Sequence, residues 1–175
     1  MANGRLYFDY NATAPLLPAA QSAMVDAMAL PGNPSSVHAE GRRSRAVVSK
    51  ARESVARLCG VPAAQIVFCS GATEAANHVL TPDFRMGRSP VRVSRLFVSA
   101  VEHPAILEGG RFSAGQITVL PVDSDGRLDL TALAEALAGH DQASGQAMLG
   151  LQLANNETGV IQPVRQAADI VKAHQ

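Results

Sequence analysis

The sequence is short of several things at once. It holds two cysteines, no tryptophan and 4% aromatic residues in 175 positions. Cys59 and Cys69 are too few and too close for the disulfide framework of a small secreted domain. Lys+Arg and Asp+Glu each total 15, for a formal charge of +0. No field of one sign draws the chain to nucleic acid or an anionic membrane, and neither partner is expected. No apolar run approaches the roughly 20 residues needed to cross a bilayer. The opening MANGRLYFDY lacks the basic and apolar regions of a signal peptide, so a cytoplasmic location is the expectation. The two cysteines and five histidines have no paired ligand spacing, so no metal is expected. Neither GxxxxGK[ST] nor GxGxxG occurs, which weakens a nucleotide-binding reading. Lysine occurs only at Lys50 and Lys172.

What is present suits a soluble globular domain: 47% hydrophobic residues in a length typical of one folding unit. Strand-like and helix-like segments alternate. Leu6 to Asp9 reads as an extended arm, and Pro18 to Leu30 as a helix opened by proline and stopped by Pro31-Gly32-Asn33-Pro34. Val48, Ala51, Val55 and Leu58 recur at helical spacing in a second helix, from near Ser36 to Gly60. Ile66–Cys69 reads as a first strand, Thr73–Leu80 as a helix and Leu96–Ser99 as a second strand, and Ala105–Phe112 as helical. Ile117–Val122 makes a third strand. Asp129 is placed to cap a helix over Leu130–Ala138 that Gly139 closes. Met148–Leu153 is a fourth strand, and Pro163–Ala173 a last helix. Strands separated by helices imply parallel crossovers, so the fold class is α/β, a parallel-type sheet with helices on both faces.

In such a sheet, ligands bind outside the carboxyl ends of the strands. Three segments stand there in this reading. Ser70-Gly71-Ala72-Thr73-Glu74 has the outline of a phosphate cup, glycine turning the chain and helix N–H groups facing outward; an ordinary capped turn has the same outline. His103, in Glu102-His103-Pro104, suits ring stacking, proton donation, metal ligation or a structural role. Asn155-Asn156-Glu157-Thr158-Gly159 offers amides that bond a polar ring substituent or simply form turns. Together the three describe a site for a flat, phosphorylated heterocycle.

Five segments occur in one order: Asp9-Tyr10-Asn11-Ala12-Thr13-Ala14-Pro15, Gly32-Asn33-Pro34-Ser35-Ser36-Val37-His38, Ser70-Gly71-Ala72-Thr73-Glu74, Glu102-His103, and Asn155-Asn156-Glu157-Thr158-Gly159. In order and spacing they resemble the cysteine desulfurases, pyridoxal-phosphate (PLP) enzymes of the class V aminotransferase superfamily. Two positions depart from the pattern, Ala14 and Cys69, where the family often has threonine; neither is a proposed ligand. The resemblance implies that Ala72 and Thr73 hold the PLP phosphate, that His103 lies over the ring and assists proton transfer as a catalytic residue, and that Asn156 bonds the ring hydroxyl. Asn155 looks like a support for the turn, and Glu74 and Glu157 like capping partners.

The same resemblance implies conversion of L-cysteine to L-alanine, with sulfur passed to an enzyme cysteine persulfide for iron–sulfur cluster and thio-cofactor synthesis. It also implies a homodimer and sulfur-acceptor or scaffold partners. The Schiff-base lysine, the acid on the ring nitrogen and the sulfur-accepting cysteine match nothing here, since neither Lys50 nor Lys172 sits in a lysine-binding motif. The expectation is therefore an N-terminal portion, with an arm over 1–15 and an incomplete PLP-binding large domain over 16–175, inactive in isolation. Alternatives are another class V aminotransferase, a selenocysteine lyase, or a non-catalytic half-domain that pairs with a homologue.

Overall fold

A computed structural model describes residues 6–174. The first five residues of the expected arm lie outside the described residues. The chain divides into two units, Met1–Cys69 and Ser70–Gln175, so the expected boundary at residue 15 falls within the first.

The first unit carries two helices, α1 (Pro18–Met28) and α2 (Ala39–Cys59). Proline opens α1, where its missing N–H costs nothing. His38 stands at the N-cap of α2, and Gly60 ends it in the left-handed conformation. Both helices therefore lie where the apolar spacing and the punctuation put them. The expected first strand does not. Ile66–Cys69 joins no ladder among the described residues; instead Ile66 O accepts from Arg52 Nε at 3.2 Å, and the Arg52 guanidinium lies 5.2 Å from the centre of the Phe68 ring. A short apolar run is a strand only if another strand pairs with it, and composition alone cannot supply one.

The second unit runs α3 (Ala72–Val79), β1 (Asp83–Met86), β2 (Ser89–Ser99), α4 (Pro104–Leu107), β3 (Ile117–Leu120), α5 (Leu130–Ala138), β4 (Gln146–Gly150) and α6 (Val164–Ala173). Strand β2 is the hub. It pairs in parallel with β3 and with β4, and antiparallel with β1 through a hairpin in which Met86 faces Ser89. The sheet is thus mixed, with β2 at its centre and the expected parallel strands β3 and β4 paired to it. The hairpin was not expected, although Gly87-Arg88 between two alternating runs is its signal. Gly87 takes φ +64, as the tight turns of hairpins require.

Alternation along the strands divides the core in two. Leu96 and Val98 of β2, with Ile117 and Met148, face Ala76 of α3, Leu80 just past its end, and Ala105, Ile106 and Leu107 of α4. Phe97, Leu120, Ala147 and Leu149 face Leu133 and Leu137 of α5 and Ala167 and Ile170 of α6. Helices therefore cover both faces, as the α/β class demands. Val93 shares a face with Leu96 because a register shift between Val93 and Arg95 resets the alternation.

Helix α5 begins as expected, with Asp129 accepting from Thr131 N and Ala132 N. Helix α4 is shorter than expected. Gly110 follows it at φ +58, and a Cβ there would stand 2.6 Å from Leu80 O. The chain turns away at this point to pack against the end of α3, and Arg111 N donates to Leu80 O at 2.9 Å.

Candidate functional site

Strands β2 and β4 are parallel neighbours, so the segments that leave their carboxyl ends emerge at one edge. Three hydrogen bonds lace these segments together. Glu102 accepts the Gln152 N–H at 2.5 Å. Val101 O accepts both Gln152 Nε2 at 2.7 Å and Asn155 Nδ2 at 2.9 Å. Ala100 N donates to Leu120 O at 2.9 Å and ties in the end of β3. Gly150 completes the approach: a Cβ there would stand 2.9 Å from Ile106 Cγ2, so only a bare backbone lets α4 lie against the end of β4.

His103 leaves this edge as the N-cap of α4, its Nδ1 accepting from Ala105 N at 3.1 Å. In the neutral ring that bond assigns the proton to Nε2, and His103 itself is exposed. On the β4 side, Asn155 is buried and organises the turn. Its Oδ1 accepts from Glu157 N and Thr158 N, each at 2.9 Å, and from Thr158 Oγ1 at 3.2 Å. The next residue, Asn156, is exposed and donates Nδ2 to Glu157 Oε1 at 2.8 Å.

The third segment is built differently. Helix α3 starts at Ala72 after an extended Gly71, with no side-chain cap among the described residues. The first-turn N–H groups have no helix carbonyl to bond. Beside them lies a cavity of about 430 Å³ lined by Ser70, Thr73, Glu74, Asn77, His78 and Arg111. The Thr73 hydroxyl, the Asn77 amide and the Arg111 guanidinium form a donor set that fits a phosphate monoester. Glu74 opposes it, but its carboxylate is engaged: it accepts from Ser70 N at 2.7 Å and Ser70 Oγ at 2.5 Å. Those bonds hold its carboxyl below the ordinary range, the side-chain bond first. Glu74 thus stands in the first turn of α3 as a dipole partner and ties the helix to Ser70, the residue before its N-cap.

His103 and Asn156 therefore belong to laced neighbouring loops, whereas the lining of the Thr73 cavity includes neither of them. The expectation that Ala72 and Thr73 follow a strand of the sheet is corrected by the unpaired Ile66–Cys69 segment. Helix α3 reaches the sheet sideways instead, through Ala76 and Leu80 on the face that α4 also covers.

Two residues carry more than the sequence reading gave them. Glu102, named there only as part of a motif, is 6% exposed. Burial pushes its carboxyl above the ordinary range, against the downward pull of N–H bonds from Gln152 and His103. Gln152 has no role in the sequence reading, which places it inside the expected strand Met148–Leu153; β4 ends earlier, at Gly150, and a polar residue within that otherwise apolar run is the signal that marks it. The lysines lie elsewhere. Lys50 is exposed on α2. Lys172 shares a cavity lining with Gln146, the first residue of β4, and the Gln142 side chain donates to His174 O. The end of α6 thus lies at the amino edge of the sheet, opposite His103.

Among the described residues, no helix is long and apolar enough to cross a membrane, and no three His, Cys, Asp or Glu side chains cluster to hold a metal ion.

Comparison with known proteins gives the relatives of this arrangement. A family model described as aminotransferase class-V matches residues 6–175. The chain is 35% identical over 164 residues to the IscS-like cysteine desulfurase of Mycobacterium tuberculosis, covering 90% of this chain and 41% of that protein. It is 38% identical over 172 residues to a cysteine desulfurase of Cereibacter sphaeroides, covering 95% and 42%. Among solved structures, a NifS-like protein from Rickettsia africae superposes with a TM-score of 0.82 at 28% identity, over 95% of this chain and 44% of that one. The chain spans about two fifths of the length of these relatives. With a family model matched along its length and homologues that are cysteine desulfurases, the chain belongs to the class-V aminotransferase family.

Proposed function

We propose that this chain is the cofactor-cradling part of a PLP-dependent cysteine desulfurase, which converts L-cysteine to L-alanine and passes the sulfur to an enzyme cysteine for iron–sulfur cluster and thio-cofactor synthesis. The observation that carries the reading is the lacing of the His103 loop to the Asn156 turn at one edge of a parallel sheet. PLP, when bound, supplies the electron sink that lets the substrate lose its α-proton.

The chain's own residues hold and orient. Ala72 and Thr73 take the phosphate at the start of α3, where the helix dipole and first-turn N–H groups favour an anion. His103 covers the ring and carries a proton at Nε2, since Nδ1 is committed to Ala105 N. Asn156 gives its amide to the ring hydroxyl in exchange for Glu157 Oε1, a cheap exchange between exposed groups. The arm over 1–15, the incomplete large domain over 16–175, a homodimer of the longer protein, sulfur-acceptor or scaffold partners and a cytoplasmic location belong to the same proposal.

The Schiff-base lysine is neither Lys50 nor Lys172, and the chain alone turns over no cysteine. The test incubates the purified chain with PLP, reduces with borohydride and locates pyridoxyl adducts by peptide mass spectrometry, beside an assay of sulfide and alanine. Scattered, substoichiometric labelling without turnover is the expected result. Stoichiometric labelling of one lysine, with turnover above free PLP that His103→Ala abolishes, would overturn it.

A further inference from the structure

We propose that the outer face of α2 is a docking surface for an acidic helix of a partner protein, which lays its carboxylates along the line Arg43, Lys50 and Arg57. None of the three has a part in the cofactor reading. The chain is neutral as a whole, but its charge is unevenly spread. Six of its 15 basic residues and two of its 15 acids lie in the 21 residues of α2. The helix therefore carries four positive charges in excess, and the rest of the chain four negative ones.

Three of the six cations are spent within the chain. Arg42, Arg45 and Arg52 donate to the carbonyls of Val37, Pro34 and Ile66. The other three stand seven residues apart, and all are exposed. Seven residues make nearly two helical turns, so Arg43, Lys50 and Arg57 share one stripe about 21 Å long, with Val47 and Ser54 between them. Gly41, Ser44, Val48, Arg52 and Ala56, all buried or half-buried, form the opposite stripe. Arg57 donates to Ser54 Oγ at 3.0 Å, a neutral partner that leaves its charge uncompensated. Among the described residues neither Glu40 nor Glu53 forms an ion pair with any of the three.

Charge and apolar points together select the occupant. Cations at seven-residue intervals match carboxylates at the same interval on a second helix, as at the flanks of a coiled-coil seam. Val47 and Leu58, 42% and 87% exposed, lie on or beside the stripe and offer apolar contact that a phosphate backbone does not use. Beside Arg57 a hollow of about 520 Å³, lined also by Val61, Pro62 and Ala63, gives a partner's side chain a seat. The negative remainder of the chain repels a long polyanion, which disfavours nucleic acid.

The test titrates the full chain against a labelled synthetic helical peptide with glutamate at every seventh position, read by fluorescence anisotropy. A peptide of the same composition with its glutamates consecutive, a single-stranded DNA and phosphatidylserine vesicles serve as competing probes. The spaced peptide is expected to bind at least about fivefold more tightly than the clustered one, because only it reaches all three cations at once. Lys50→Glu weakens it about tenfold, one surface attraction being replaced by a repulsion, while Arg165→Glu, the same change of net charge on α6, leaves affinity within about twofold. Far-UV circular dichroism of both variants matches the wild type, since both side chains are exposed. Equal affinity for the two peptides, no binding of the spaced one, or an equal loss in Arg165→Glu overturns the proposal. Tighter binding of the DNA or the vesicles does the same, and so does self-association of the chain that Lys50→Glu abolishes, which would make a second copy the occupant.

Discussion

Asn155 donates its side-chain amide to Val101 O at 2.9 Å, across 54 residues of sequence, while its Oδ1 takes donors from Glu157 and Thr158. One buried side chain thereby shapes the turn and anchors it to the neighbouring loop. Asn155→Ala removes both functions and leaves the Glu157 and Thr158 N–H groups without their acceptor. A loss of about 1–3 kcal/mol is expected, as for other buried polar groups deprived of partners. Thermal and urea unfolding of the chain measure it, and a variant as stable as the wild type would contradict the assignment.

Glu102 predicts a pH dependence of definite sign. Burial raises its carboxyl above the ordinary carboxylate range, so the folded state keeps a proton that the unfolded state has already released. The stability this contributes is fully present below the unfolded value and is lost as pH rises through the raised folded value. Glu102→Gln removes the effect. The wild-type minus variant stability, followed by unfolding across the acid range, should fall with rising pH and then level off. Glu74, with its lowered value, loses its contribution as pH falls, but it is common to both proteins and cancels. A difference that rises with pH would refute the assignment.

Gly110 and Gly126 separate crowding from backbone strain. Both have positive φ, +58 and +78, but a Cβ at Gly110 meets Leu80 O at 2.6 Å, while one at Gly126 meets nothing within 4 Å. Gly126→Ala is expected to cost about 1 kcal/mol from conformation alone. Gly110→Ala adds overpacking of about 1–3 kcal/mol. Melting curves of the two variants should rank them in that order.

The two units differ in how much they bury. Of the described residues up to Cys69, only Gly41 and Ala56 are buried, whereas residues 70–174 hold two hydrophobic clusters. Backbone with little buried apolar contact opens most readily. Brief proteolysis of the chain, read by mass spectrometry, is expected to cut first within residues 6–69 and leave a fragment that retains β1 to β4. First cuts inside β2 or β4 would contradict it.

What was legible in the sequence was what neighbouring residues decide. Asp129 and Gly139 bracket α5, Gly60 closes α2, and the helical spacing of Val48, Ala51 and Val55 drew α2 correctly. Pairing decides the rest. Ile66–Cys69 has the composition of a strand and no partner among the described residues, and β1 exists because Gly87 lets Asp83–Met86 fold back on β2. Of the candidate site, the structure shows the turn role that the resemblance gave Asn155; the roles of His103 and Asn156 rest on the order and spacing of the motifs and stand as proposals. Glu102 could not be given its part, because its partner Gln152 lies 50 residues away and only the parallel pairing of β2 with β4 brings the two together.

The hub position of β2 also sets an order of assembly. The β1–β2 hairpin closes over two residues, whereas β3 and β4 reach β2 only after longer loops have been closed, at a growing entropic cost. As the chain emerges from its amino end, the hairpin is complete first, β3 follows and β4 comes last. The bonds from Gln152 and Asn155 to Glu102 and Val101 form only once β4 has docked. The loops of His103 and Asn156 thus come into relation at the closing step of sheet formation, so the edge proposed for a ligand does not exist on a half-made sheet.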